Sequence, residues 1–185
     1  MTARRNEPGE RPRAPRVLLL MGVSGSGKTT TGARLSRKLG WDYRDADSFH
    51  PAANIEKMRR GQPLTDEDRQ PWLGAIAAWI DQRRASDTPG LVSCSALKRA
   101  YRQVLIGERR DVALVYLKGE KALIADRLER RRAHFMPAAL LDSQFAALEE
   151  PGADEAPIVV NVGLSPNRVI ERILASVGLA ALGRR

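Results

Sequence analysis

Along this chain, short unbroken apolar runs alternate with longer stretches in which apolar residues recur every three or four positions. The first run, Val17-Leu18-Leu19-Leu20-Met21, contains no polar residue and ends at a glycine-rich segment. Runs of this kind form strands covered on both faces, as in a parallel sheet. A helix is predicted over 28–39, stopped by Gly40. A short strand follows at 42–46, His50-Pro51 breaks the chain, and 52–60 reads as a short helix closed by Gly61. Residues 69–84 carry Trp72, Leu73, Ile76, Trp79 and Ile80 at the spacing of one helical face. Behind the Pro89-Gly90 turn come a strand at 91–94, a helix at 98–106 and a clear strand at 112–117. A helix over 121–132, a break at Met136-Pro137 and a further helix through Leu148 follow, then a loop over 151–157. The last strand falls at 158–162 and a closing helix at 166–177. Five strands alternating with helices predict an α/β fold built on a five-stranded parallel sheet with right-handed crossovers. The segment after the second strand and the arginine-rich stretch before the last depart from plain alternation, as lobes closing over substrates would.

At 185 residues the chain holds one domain with its own core. The expected division is a disordered basic tail over 1–15, a single domain over 16–180 and a short tail over 181–185. No apolar run approaches the ~20 residues of a membrane span. The first 16 residues, rich in Arg and Pro, lack the hydrophobic stretch of a signal peptide. One cysteine, Cys94, has no partner for an internal disulfide, which points to a reducing compartment, the cytoplasm. Cys94 itself reads as a small core residue.

The net charge of +9 raises nucleic acid as a partner, so its distribution matters. Residues 1–16 carry five arginines against two glutamates, and Arg184 and Arg185 close the chain, leaving +4 for the body. The densest internal cluster, Arg127 with Arg130, Arg131 and Arg132, suits a triphosphate as well as a polynucleotide. With no basic stripe interleaved with aromatics, no nucleic-acid partner is expected, and a nucleic-acid-binding ATPase is the rival reading.

Gly22-Val23-Ser24-Gly25-Ser26-Gly27-Lys28-Thr29 fits the phosphate-loop pattern G-x-x-x-x-G-K-[ST] at every fixed position, between a predicted strand and a predicted helix. Glycines let backbone N–H groups converge on phosphate oxygens, and the helix N-terminus adds a favourable dipole. Lys28 would reach the β and γ phosphates of ATP, and Thr29 would ligate Mg²⁺; Thr30 completes the nucleotide-binding candidates. The chain has no guanine-recognition motif and no standard Walker B strand, which leaves a small-molecule or nucleotide kinase as the leading class. At the end of the second strand, Asp45 and Asp47 are expected to project to one side of the ligand crevice. Asp47 is read as the base that accepts the acceptor's hydroxyl proton, and Asp45 as a metal ligand through water; a turn or helix-capping pair is the bland alternative.

These stretches resemble the small P-loop gluconokinases, relatives of shikimate and adenylate kinases. The likeness runs from about Met21 to Glu155. It takes in Asp45 to Pro51, Asn54-Ile55-Glu56-Lys57-Met58, Asp66-Glu67-Asp68-Arg69-Gln70-Pro71-Trp72-Leu73, Cys94-Ser95-Ala96-Leu97-Lys98, Arg131-Arg132-Ala133-His134-Phe135 and Gln144-Phe145. Ala46 stands where Gly is often found between the two aspartates. The resemblance implies a three-layer P-loop kinase fold, with a helical substrate-binding insertion over about 48–86 and an arginine-rich lid over about 127–140. It also implies ATP and Mg²⁺ as cofactors, gluconate as the acceptor, a homodimer, and supply of 6-phosphogluconate to the pentose phosphate and Entner–Doudoroff pathways. In the lid, Arg127 and Arg131 would meet the transferring phosphate, Arg131 catalytically, or else form a solvated basic face. A linear polyol acid needs hydrogen-bonding groups and a cation. His50, Lys57, Arg60, Lys98 and Arg102 are the candidates, with none singled out for the carboxylate, and His134 is a further one that reads equally well as structural. Another polyol acid, such as shikimate, or a nucleoside monophosphate stays open as the acceptor. The run Ser93 to Lys98 stands where nucleotide-binding relatives carry a different motif.

Overall fold

In a computed structural model, residues 14–130 and 138–180 are described. The anticipated tails over 1–15 and 181–185 therefore fall almost wholly outside the described residues, as do Arg131, Arg132 and His134. The strands β1 (Val17–Met21), β2 (Asp42–Asp45), β3 (Gly90–Ser93), β4 (Val112–Lys118) and β5 (Ile158–Asn161) form one parallel sheet in the order β2-β3-β1-β4-β5. The helices are α1 (Lys28–Leu39), α2 (Ala52–Arg59), α3 (Asp66–Ala85), α4 (Arg99–Leu105), α5 (Lys121–Glu129), α6 (Ala138–Ala147) and α7 (Pro166–Ser176).

All five residues of the central strand β1 are buried, and its alternate side chains enter different cores. Leu18 and Leu20 pack with Leu35 of α1, Ile124 of α5 and Val169, Ile173 and Leu174 of α7. Val17, Leu19 and Met21 pack on the other face with Leu73, Ile76 and Ile80 of α3 and Tyr101 and Leu105 of α4. The result is the three-layer α/β sandwich that a continuous apolar strand demands. Edge strand β2 instead alternates exposed and partly buried positions.

Element ends follow local chemistry. Gly40 closes α1 in the left-handed conformation, its N–H returned to the Ser36 carbonyl. Helix α3 begins three residues before the expected Arg69, because Thr65 and Asp68 form a reciprocal capping box and Asp66, Glu67 and Asp68 favour a helix N-terminus. Periodicity missed this turn because it is wholly polar, and Pro71 removes only one bond from the helix that follows. Strand β2 ends at Asp45 rather than 46, and residues Ala46–Phe49 form a 3₁₀ turn. Helix α5, expected to continue to 132, is described to Glu129.

Helix α1 lies against β2 so closely that a Cβ on Gly32 would come within 2.3 Å of the Tyr43 ring. Gly32→Ala is therefore expected to lower the unfolding free energy by about 1–3 kcal/mol through displacement of Tyr43. Urea unfolding, read as a fall in midpoint at constant slope, checks this.

Candidate active site

The ends of β1, β2, β3 and β4 converge on one crevice, and β1 feeds it through the loop 22–27. Gly22 has φ +145, and a Cβ there would lie 2.8 Å from both the Leu117 carbonyl and Ser26 Oγ. Its N–H donates to the Ser95 carbonyl at 3.3 Å, so the loop starts pinned between β3 and β4. Gly27, at φ +93, precedes α1, whose first turn carries no acidic residue and no side-chain cap. The N–H groups at this helix end remain available to an anion. Lys28 Nζ donates to the Gly22 and Val23 carbonyls at 2.8 and 3.0 Å, which folds the ammonium over the loop. Burial lowers its pKa from the ordinary lysine value, and Cys94 and the nearby Asp45 and Asp47 carboxylates oppose the shift.

Thr29 Oγ1 donates to Asp45 Oδ2 at 3.1 Å, and the Tyr43 hydroxyl lies 3.3 Å from the same oxygen and 2.9 Å from Ser93 Oγ. A hydroxyl and a carboxylate beside a phosphate loop are oxygen donors suited to Mg²⁺, which keeps several waters and binds through few protein groups. No cluster of three or more His, Cys, Asp or Glu side chains able to hold a metal is found among the described residues.

The two aspartates do not share a strand face as expected. The strand stops at Asp45, whose Oδ1 accepts the Asp47 N–H at 3.2 Å, and Asp47 stands exposed on the 3₁₀ turn. Asp45 is thus both strand end and cap. Trp72 Nε1 donates to the Ala46 carbonyl at 2.7 Å and pins this turn to α3. The His50 ring stacks on Trp72, with centroids 4.6 Å apart and planes 8° from parallel. Among the described residues its buried Nδ1 has no partner, and burial lowers the imidazole pKa, Asp47 opposing and Arg69 adding to the shift. His50 is therefore held neutral.

Residues 17–151 match the AAA domain family. A gluconokinase of Gluconobacter oxydans (strain 621H) is 46% identical over 160 residues, 86% of this chain and 90% of that protein. The crystal structure of a gluconokinase from Sinorhizobium meliloti 1021 superposes with a TM-score of 0.78 at 40% identity, covering 90% of this chain and 93% of that one. The chain belongs to the gluconokinase family. A sugar kinase from Janibacter sp. HTCC2649 is as near in structure, with a TM-score of 0.82 at 42% identity over 92% of this chain and 99% of that chain.

In this gluconokinase-family chain, several residues expected at the acceptor site have other partners. Lys57 Nζ lies 2.5 Å from Asp68, and Arg60 pairs with Glu56 on the exposed end of α2. Lys98 Nζ donates to Asp66 Oδ2 at 2.6 Å, and the Tyr101 hydroxyl donates to the other oxygen of that carboxylate. Arg102 requires correction. Its side chain is only 1% exposed, its Nε and Nη2 grip the two Glu155 oxygens at 2.5 and 2.8 Å, and Nη1 donates to the Ala96, Leu97 and Glu149 carbonyls. A guanidinium buried this deeply, and held by Glu155 and three loop carbonyls, is not presented to a substrate. It holds instead the 96–97 loop, where Ala96 adopts the left-handed φ of +46. Arg127 Nη2 donates to the Val162 carbonyl, behind β5, and Thr30 is exposed on α1.

Sequence reasoning passed over four residues here. Tyr43 orients Asp45, Trp72 carries His50, and Arg69 stands beside that stack. Gln144 of α6 accepts the Ser24 N–H at 2.7 Å and donates to Ser24 Oγ at 2.9 Å, which ties α6 to the phosphate loop. Arg69 and Gln144 lay inside the quoted family stretches, but spacing alone does not rank them.

Arg102→Met would leave Glu155 charged and half of a buried bridge. The expected loss of stability is about 3–5 kcal/mol, read by chemical denaturation at pH 7. The bond to Arg102 keeps the Glu155 pKa below its ordinary value. This contribution is therefore present above the unfolded-state pKa and fades as pH falls through the folded one, so the gap between wild type and variant narrows in acid.

Proposed function

We propose that this chain transfers the terminal phosphate of ATP to the 6-hydroxyl of D-gluconate, giving 6-phospho-D-gluconate. The observation that carries the proposal is the meeting, at one crevice, of a phosphate loop with the Asp45–Asp47–His50 turn, in a chain that belongs to the gluconokinase family. Residues Gly22 to Thr30 cradle the nucleotide phosphates, with Lys28 against the β and γ oxygens, and Arg127 and Arg131 are proposed to meet the transferring phosphate. Thr29 and, through water, Asp45 would hold Mg²⁺, which would supply charge neutralisation. Asp47 takes the proton of the acceptor hydroxyl, and its exposed place on the turn lets it reach a substrate entering over α2 and α3. His50, neutral and stacked, offers a hydrogen bond to the polyol without competing for the carboxylate. Lys98 is proposed as a further hydrogen-bond donor to the acceptor.

The segment 48–86 acts as the acceptor lobe and 127–140 as the lid whose closure excludes water. No described helix is long and apolar enough to cross a membrane. The enzyme is proposed to work in the cytoplasm as a homodimer, with small molecules rather than nucleic acid as its partners.

Coupling to 6-phosphogluconate dehydrogenase and following NADPH tests the reaction. Wild type is expected to give a gluconate-dependent signal, and Lys28→Ala to lose about 10²–10³ in kcat/KM. Asp47→Asn is expected to lose about 10²–10⁴ at unchanged ATP affinity. Turnover by Asp47→Asn within threefold of wild type would remove Asp47 as the base.

A further inference from the structure

We infer that Arg69, on the second turn of α3, is the residue that recognises the acceptor's carboxylate and so sets the preference for a sugar acid; this rests on the reaction proposed above. The acceptor carries one negative charge at the end opposite the hydroxyl that is phosphorylated, so its pocket needs a cation with donors to spare. Among the five described basic candidates for the acceptor site, three are committed elsewhere: Lys57 to Asp68, Arg60 to Glu56 in solvent, and Arg102 to Glu155 inside the fold. Lys98 is anchored on Asp66 at 2.6 Å. His50 is held neutral by its burial against Trp72.

Arg69 differs from all of them. Its side chain is 31% exposed, its Nη1 donates to the Leu64 carbonyl at 2.5 Å, and the nearest carboxylate, Asp66, is 3.6 Å away. Among the described residues, Nε and Nη2 make no hydrogen bond. Asp66 is already shared with Lys98 and the Tyr101 hydroxyl. The group Arg69, Lys98 and Asp66 therefore keeps one uncompensated positive charge at a half-buried place. Arg69 also precedes Trp72 by three positions, which puts both on one face of α3. Trp72 carries the His50 ring and holds the turn that bears Asp47. The charge of Arg69 is felt at His50, as is that of Asp47. One wall thus presents a general base, a neutral hydrogen-bonding ring and, beyond it, a guanidinium edge with two open donors. That edge matches the two oxygens of a carboxylate, a pairing a lysine makes only as a point charge.

The test measures KM for gluconate, KM for ATP, kcat and Tm for Arg69→Met and Arg69→Lys. Loss of a charged hydrogen-bonded pair is expected to raise the gluconate KM of Arg69→Met about 10- to 100-fold. Arg69→Lys should fall between that variant and wild type. KM for ATP within twofold and an unchanged Tm are expected for both, a split that a merely structural arginine would not produce. A gluconate KM within twofold of wild type in both variants would overturn the assignment. So would a KM for ATP and a Tm that move together with it. A wild-type protein without gluconate turnover would instead remove the proposed reaction, and this inference with it.

Discussion

The first residue after the central strand has almost no freedom, and the arrangement of the crevice depends on it. Gly22 must turn through φ +145 with the Leu117 carbonyl and Ser26 Oγ where a Cβ would be, while its N–H is held by Ser95. Three strand ends thereby fix one backbone position. The loop that follows can only wrap back towards α1, which brings the Lys28 ammonium over two loop carbonyls and leaves the helix N-terminus facing the crevice. Preorganisation of this kind matters in phosphoryl transfer, because the protein's contribution there is mostly placement and charge.

Around that fixed point the 3₁₀ turn and α3 are joined to the phosphate loop by pins of different chemistry. Asp45 collects Thr29, Tyr43 and the Asp47 amide, so the phosphate-loop helix and the 3₁₀ turn share a carboxylate. Trp72 ties the turn to α3 through one indole N–H and offers its face to His50. On the far side Arg102 and Glu155 brace the loop after β3, whose Ser95 carbonyl receives Gly22. A buried ion pair is a weak source of net stability, but here its arginine also binds three loop carbonyls and holds a left-handed alanine in place. Gln144 adds a tie from α6 to Ser24.

Much of this was legible in the residues. Unbroken apolar runs marked the strands because a parallel sheet covered on both faces tolerates little else, and the phosphate loop declared itself through glycines at fixed spacing. What escaped did so for physical reasons. The first turn of α3 is entirely polar, and its helix is specified by a cap rather than by a stripe. A two-residue spacing suggested that Asp45 and Asp47 share a face, but a side-chain cap ended the strand between them. Arg102 was a candidate because a sugar acid calls for a cation and arginine suits a carboxylate; only the fold brings Glu155, more than fifty positions away, against it. Arg69 sat within a family-like stretch but nothing there ranked it, since the role proposed for it depends on which neighbouring cations are already paired.

The central claim is phosphoryl transfer to the primary hydroxyl of a sugar acid at this crevice. Proton-coupled phosphorus NMR of purified protein with Mg·ATP and gluconate tests it most directly. The expected result is a new phosphate monoester resonance split by two methylene protons, growing in step with ADP and absent without gluconate. Release of inorganic phosphate alone, or ADP formed at the same rate whether or not gluconate is present, would contradict it.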